Sequence, residues 1–485
     1  MALRAVLSLF GWLTVLFALA MLLPAVVGLL DGEAETPEIF AVSAVLGLAA
    51  GSVVIAVSPR ERRRRTGRRE AFLLAVLTWT ALPVFGALPL SLVAGPLDAW
   101  LEAMSAFTTT GYSVFDRPEE LPRSLLLWRA LMQWMGGLAT IILAVVMLGV
   151  YGLGGLAVYR SAIPAGDSAT LAGRLRETAS AIWWVYAIMT LVCALLLWVT
   201  GVDPFDAVCF GMSTISTGGF ANSSAGASDL SPAARAVLMI FMLGGALNFT
   251  LHWATFHGRF DLYLRDPETR VLLAIVAAGT ILVALPVWGE GTSPLAAVSE
   301  ALFAVVSVIS TTGHVGLPVQ DGLFAVAWPT SASLVLLILM MIGGAAGSTA
   351  GGFKLMRFEL LLRQGGVEMN RLPYPNGVST VKFGGVRVPA EALRATWGFL
   401  MLFIVSVALV AGLIGMDGHD LATALALSVG ALSNAGAGAD YVIAGMLPIA
   451  DLDPFAKIAI VGGMLAGRLE LLALLGVFMP SFWKH

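Results

Sequence analysis

Phe107-Thr108-Thr109-Thr110-Gly111-Tyr112 is the first of four related stretches. The others are Thr214-Ile215-Ser216-Thr217-Gly218-Gly219-Phe220, Ile309-Ser310-Thr311-Thr312-Gly313-His314 and Leu432-Ser433-Asn434-Ala435-Gly436-Ala437-Gly438. Each closes a helical stretch of about 10 to 15 residues, too short to cross a bilayer that needs about 20. Each is followed by a longer apolar run with a Gly-Gly pair: Gly136-Gly137, Gly244-Gly245, Gly343-Gly344 and Gly462-Gly463 lie 25, 26, 30 and 26 residues beyond Gly111, Gly218, Gly313 and Gly436. The unit reads as span, re-entrant half-helix, loop, span. Irregular backbone at membrane depth is tolerated only where it is buried in protein or lines a cavity. Four such loops in pseudo-fourfold arrangement predict one central pore.

The rest of the chain agrees. Of its 485 residues 58% are apolar and 12% charged, against about 25% charged in soluble domains, and the mean hydropathy is +0.88. This excludes a soluble globular enzyme. A net charge of −3 offers no polycationic surface for phosphates, so nucleic acid is not expected as a partner. Cys193 and Cys209 sit apart in apolar stretches and read as small core residues. Apolar runs near 5–30, 40–58, 71–94, 124–150, 178–200, 233–256, 270–288, 328–362, 391–415 and 454–480 predict about ten transmembrane helices with lipid as their solvent. The run from Pro59 to Arg69 holds seven arginines in ten residues and anchors that segment in the cytosol. With alternating spans, most of the 28 basic residues fall inside, while Arg117, Arg123, Arg129 and Arg235 fall outside with most carboxylates, among them Asp31, Asp98, Asp116, Glu119, Glu290, Asp321 and Asp451. A negative outer face concentrates cations.

Glycine after threonine suits a cation filter, because it admits positive φ and lets carbonyls replace a hydration shell. Thr110-Gly111, Thr217-Gly218, Thr312-Gly313 and Ala435-Gly436 are the candidate ion-binding pairs. Gly343, Gly344, Gly347, Ser348, Thr349, Gly351 and Gly352 crowd the middle of the eighth run, where no uninterrupted helix should persist. A phosphate loop is excluded there, since Phe353-Lys354 replaces the Lys-Ser/Thr pair and no strand precedes it. A flexible interruption lining a cavity and a glycine seam for close helix packing both fit. Arg468 lies 11 residues past Lys457, about 16 Å deeper at 1.5 Å per residue, so it must face the bundle or the pore. Glu470 does not share its helical face. Asn248 and His252 share a face and read as packing contacts.

Together with Trp134-Met135-Gly136-Gly137, the run Gly244 to His252, the run Gly343 to Lys354, the linker Val381 to Pro389 and Gly467-Arg468-Leu469-Glu470, these loops resemble the Trk/Ktr/HKT superfamily of potassium transporters, in its bacterial TrkH branch. The chain departs from the pattern at Tyr112-Ser113, His314 and Ala437-Gly438. The resemblance implies an all-α membrane protein with four repeats around one pore, preceded by an extra helix pair. The corresponding division is 1–69 for that pair, then 70–160, 161–265, 266–388 and 389–485 for the repeats. It implies K⁺ uptake across the bacterial inner membrane, with K⁺ as transported ion and no organic cofactor. It implies an intramembrane gating loop at 343–352 and Arg468 beneath the filter, as a positive barrier or as a donor pinning that loop; a structural arginine paired elsewhere is the alternative. It also implies K⁺ over Na⁺ selectivity, because Gly111 stands where serine marks Na⁺ selectivity. A homodimer and a cytosolic TrkA-type nucleotide-binding regulator belong to the same implication.

Gated channel and proton-coupled symporter both remain open, although no buried carboxylate relay stands out in the spans. An intramembrane enzyme would need a nucleophile and a base, and His252 with Cys193 or Cys209 is a thin set. His314, directly after Gly313, either faces the pore, where its protonation would slow K⁺ entry, or points behind the loop to the pore helix.

Overall fold

The computed structural model describes residues 3–58, 68–151, 171–289, 291–314, 319–320, 323–324, 328–375, 380–443 and 448–469. Arg60 to Arg65, Arg160, Glu290, Asp321, Glu470 and Lys484 lie outside the described residues. Apolar runs punctuated by Pro, Gly and capping residues fold as helices throughout. The extra pair comprises α1 (Leu3–Ala20), α2 (Leu22–Leu30) and α3 (Thr36–Val57). There follow α4 (Arg68–Leu90), α5 (Pro96–Phe107) and α6 (Arg123–Tyr151); then α7 (Leu171–Val199), α8 (Pro204–Ile215), α9 (Pro232–Ala246), α10 (Phe249–Phe256) and α11 (Asp261–Arg265). Next come α12 (Pro267–Gly289), α13 (Pro294–Ile309), α14 (Thr330–Ile342) and α15 (Leu355–Arg371). The last are α16 (Ala390–Gly415), α17 (Leu421–Ser433), α18 (Gly436–Val442) and α19 (Pro454–Arg468).

Seven helical segments among the described residues are long and apolar enough to cross a membrane, α1 and α2 counting as one. The other three expected spans are interrupted or end early. The α9–α10 pair bends by 104° at its break, α14 stops at Ile342 ahead of the glycine-rich stretch, and α19 has 15 described residues. Apolar side chains such as Leu16, Val45, Leu191, Ile281 and Val405 are exposed on the periphery, as lipid-facing residues must be.

The half-helices α5, α8, α13 and α17 have 12, 12, 16 and 13 residues. Their starts are written locally. Pro96, Pro204 and Pro294 occupy the first turn, where the missing N–H costs nothing. The side chains of Asp203, Ser293 and Asp420 accept from the first free N–H groups of α8, α13 and α17.

Ion pairs then tie half-helices to spans. Arg129 of α6 and Glu102 of α5 pair at 2.7 Å, 2% and 0% exposed, and Arg235 of α9 grips Glu300 of α13 at 2.8 and 2.6 Å. Lys457 of α19 reaches Asp98 of α5 at 2.7 Å. Arg129 and Arg235, assigned by sequence to the external side, thus serve as braces. A buried arginine without its carboxylate would be costly, so each pair orients two elements.

The extra pair packs through small residues. A side chain at Gly51 would sit 2.8 Å from the Gly11 carbonyl oxygen, and one at Gly47 would sit 2.8 Å from Ala18 Cβ. Without a hydrophobic driving force between helices in lipid, such close approach supplies the attraction. We expect Gly51→Leu to destabilise the detergent-purified protein by the cost of overpacking, about 1–3 kcal/mol, and so to lower its thermal unfolding midpoint. Gly412→Leu, where nothing lies within 4 Å, should leave it unchanged; equal midpoints for both variants would contradict this packing.

Candidate functional site

Each half-helix ends in the same hydrogen-bonded turn. Thr109 N, Thr217 N, Thr311 N and Asn434 N donate three residues back, to Ala106, Thr214, Val308 and Ala431 carbonyls, at 2.9, 3.1, 3.0 and 3.2 Å. Thr110 N, Gly218 N, Thr312 N and Ala435 N donate five residues back, to Ser105, Ser213, Ser307 and Gly430, at 2.8, 2.8, 3.1 and 2.8 Å. This is the Schellman arrangement, whose left-handed residue is normally glycine. Here the left-handed residues are Thr109, Thr217, Thr311 and Asn434, with φ of 52°, 54°, 58° and 49°. A β-branched residue in that region is strained, and such strain gathers at functional sites.

The turn fixes the register of the four loops. Thr110, Gly218, Thr312 and Ala435 are equivalent, and so are Gly111, Gly219, Gly313 and Gly436. In the second loop the sequence pairing of Thr217 with Gly218 is therefore one residue early: Gly219, with φ of 81°, is the counterpart of Gly111 at 87° and Gly313 at 78°. The adjacent Gly218-Gly219 pair allowed both alignments. The serine or threonine preceding each left-handed residue, Thr108, Ser216, Ser310 and Ser433, was the signal that resolves them.

These loops pack in a cycle. A Cβ on Gly111 would collide with the Gly218 carbonyl, one on Gly219 with the Thr312 carbonyl, and one on Gly313 with Gly438 N. The fourth loop returns to the first, where Ala437 N donates to Thr110 O at 3.3 Å and Gly436 abuts the Tyr112 ring. Thr110 and Thr312 turn their hydroxyls back toward the half-helices, 2.8 Å from Thr108 Oγ1 and Ser310 Oγ. These hydroxyls are thereby used within their own turns. The fourth loop differs in entering α18 at Gly436.

The spans touch the half-helix ends through glycine. Side chains at Gly136 and Gly467 would strike the Phe107 and Leu432 carbonyls, and one at Gly245 would sit 3.2 Å from the Ile215 carbonyl. Phe107, Ile215 and Leu432 are equivalent positions. In the fourth repeat the glycine against that carbonyl is Gly467; of the pair matched by spacing, Gly462 has nothing within 4 Å, while a side chain at Gly463 would sit 3.0 Å from Ala431 Cβ.

The helix breaks after Ile342, and residues 343–354 fold as a loop against the ends of the half-helices. Thr349 Oγ1 donates to Ile215 O at 3.0 Å and Gly245 O at 2.9 Å, and Gly351 N donates to Thr311 Oγ1 at 2.8 Å. Gly351 also lies so close to Ser433 O that no side chain fits. Ser348 donates within the loop to Ala345 O at 2.6 Å. Arg468 completes the set. Its Nε donates to Thr108 O at 2.7 Å, Nη1 to Thr349 O at 3.0 Å, and Nη2 to Thr109 Oγ1. The charge thus sits at the negative end of the α5 dipole while holding the loop.

His314 is 1% exposed, with Nε2 2.9 Å from Thr214 Oγ1 of α8 and its ring edge-on to Phe210. It points behind the loop, so the pore-facing alternative is set aside. His252 uses both nitrogens structurally, Nε2 donating to Gly244 O at 2.8 Å and Nδ1 accepting from Tyr263. Partial burial, and then the charge of Asp451, raise the Asp116 carboxyl from its ordinary value.

The model of the TrkH family, described as cation transport protein, matches residues 43–484. The chain is 36% identical to the Trk system potassium uptake protein TrkH of Salmonella typhimurium, over 99% of each chain. It is 31% identical to the Trk system potassium uptake protein TrkG of Escherichia coli, again over 99% of each. It superposes on the crystal structure of the potassium transporter TrkH from Vibrio parahaemolyticus with a TM-score of 0.89 and 34% identity, over 100% of both chains.

The register makes a direct forecast. Gly219→Ala places a methyl against the Thr312 carbonyl at positive φ, whereas Gly218→Ala meets first the end of the buried Gln133 side chain, which can shift at less cost than backbone. Thermal unfolding of the two purified variants should show the larger loss for Gly219→Ala. The reverse order would restore the alternative alignment.

Proposed function

The chain belongs to the TrkH family of cation transport proteins, and from that premise we propose that it takes up K⁺ across the bacterial inner membrane through one filter per chain. The observation that carries this reading is the closed cycle of four identically capped loops, with the 343–354 loop pinned beneath it. The ring Thr110-Gly111, Gly218-Gly219, Thr312-Gly313 and Ala435-Gly436 coordinates the dehydrated ion through carbonyls. Four half-helices point their C-terminal ends, each carrying partial negative charge, toward the same place. The repeats are divided at residues 70, 161, 266 and 389, each holding one half-helix.

Residues Gly343, Gly344, Gly347, Ser348, Thr349, Gly351 and Gly352 form the gate. In the closed arrangement Ala345 N and Thr349 N bond the end of α9, Gly347 O accepts from Phe249 N, Gly351 N bonds Thr311 Oγ1, and Arg468 clamps Thr349 to Thr108. Arg468 is thus both a donor that pins the loop and a positive charge on the ion's path. Opening requires the loop to exchange these bonds for others. A homodimer and a TrkA-type cytosolic nucleotide-binding regulator complete the reading on the strength of the family resemblance. Gated flow down the electrochemical gradient is favoured over proton coupling, because the buried carboxyl groups of Glu102 and Glu268 are held by Arg129, Val114 N and Ala346 N rather than by the ring residues.

In liposomes holding the purified chain alone, Rb⁺ uptake should be slow for the parent. It should rise at least about tenfold for Arg468→Ala, since hydrogen bonds to charged groups contribute about 1.5–3 kcal/mol each and 1.4 kcal/mol is a factor of about ten. Deleting Gly347 to Gly351 should do the same. Reduced flux from both variants, as folded protein, would contradict the gate. For His314→Phe, the ratio of Rb⁺ uptake at external pH of about 5.5 and about 7.5 should equal the parent's, because the imidazole faces α8 rather than the ion. A lost pH dependence in that variant would return His314 to the pore.

A further inference from the structure

The bend between α9 and α10 deprives the last α9 carbonyls of their helical donors. A polar group so exposed in an apolar surround is costly, and other elements must supply partners. Most of those partners come from the 343–354 loop. Ala345 N donates to Ala246 O at 2.8 Å, while Thr349 N and Oγ1 donate to Gly245 O at 3.3 and 2.9 Å. In return Phe249 N, in the first turn of α10, donates to Gly347 O at 3.1 Å. Asn248 caps α10 through Thr250 N at 2.9 Å, and its side chain abuts Gly347. His252 on α10 then links Gly244 O to the Tyr263 hydroxyl of α11.

The same connector ends at Glu268, the second residue of α12. Its side chain is fully buried, and Oε2 accepts the Ala346 N–H at 2.8 Å. Oε1 has no partner among the described residues. Asp266, Glu359 and Lys354 are the charged groups within its electrostatic reach, and Lys354 Nζ donates to Ala350 O at the loop's other end. A carboxylate taken wholly out of water needs a reason, and here it holds one loop N–H. Residues 345, 346, 347 and 349 are therefore all bonded either to the end of α9 or to the connector that follows it. Arg259, Arg265 and Arg270 put that connector on the cytosolic face, within reach of a regulator.

We propose that the connector from the α9–α10 bend to the start of α12 is the handle that moves the loop, and that Glu268 is the positioning residue coupling α12 to it. This rests on reading the loop as a gate. Glu268 touches no ion; it holds Ala346 in the closed arrangement. Removing the carboxylate strands the Ala346 N–H in the closed state and shifts the loop toward open. Glutamine keeps a carbonyl oxygen at the same reach.

The test compares Rb⁺ uptake into liposomes by the full-length parent, Glu268→Ala, Glu268→Gln and the Gly347 to Gly351 deletion, each checked for a single size-exclusion peak. Glu268→Ala should run about tenfold faster than the parent, equivalent to about 1.4 kcal/mol in the closed–open balance. Glu268→Gln should stay within about twofold of the parent, a rescue that a merely structural loss would not show. Parent-like uptake by Glu268→Ala beside a fast deletion would overturn the coupling while leaving the gate intact. A deletion at the parent's rate would overturn the gate, and the coupling with it. If Glu268→Ala does not fold, Glu268→Asp, which keeps the carboxyl group but shortens the reach, should run faster than Glu268→Gln; equal, parent-like rates for the two would overturn the proposal.

Discussion

A peptide group released from a helix inside a bilayer has no water to turn to, so every break in a span must be repaired by another break. That constraint organises this molecule. The interrupted α14–α15 span and the bent α9–α10 span repair each other, through Ala345 N to Ala246 O, Thr349 to Gly245 O and Phe249 N to Gly347 O. The half-helix ends are repaired within their own Schellman turns, then by Arg468 at Thr108 O and by glycines that let the spans approach. The 343–354 loop and the ring of four loops therefore share partners.

Strain accompanies this economy. Thr109, Thr217 and Thr311 hold a backbone conformation that suits glycine, yet two of their hydroxyls are in use, Thr109 toward Arg468 and Thr311 toward Gly351 N. Threonine at these positions makes sense as a bonding group placed at the junction of filter and loop. Thr217 has no such second partner; its hydroxyl returns to Ser216 O at 2.7 Å. Asn434, the fourth member, tolerates the left-handed region better and spends its amide on Thr110 Oγ1 and Met464 O.

Much of this could be read from residues alone, because the determinants are local. Cap-proline starts, half-span lengths and the recurring loop endings each follow from a few neighbouring residues. The break at 343–354 was legible from glycine density. What escaped were matters settled in three dimensions: the one-residue register of the second loop, hidden by Gly218-Gly219, and the role of Gly467 in place of Gly462. The pairing of Arg129 and Arg235 was not legible because their partners, Glu102 and Glu300, lie 27 and 65 residues away. Nothing near Glu268 in the sequence points to Ala346, 78 residues on, whose N–H it accepts. Tertiary burial, invisible to periodicity, decides such cases.

The central claim is that four loops make one cation site, closed from below by residues 343–354. Anomalous diffraction from crystals of the full chain grown in Rb⁺ addresses it most directly. The account predicts Rb⁺ density on the axis of the ring formed by Thr110-Gly111, Gly218-Gly219, Thr312-Gly313 and Ala435-Gly436, with none between the loop and Arg468. Density absent from the ring, or strongest beside Arg468, would contradict it.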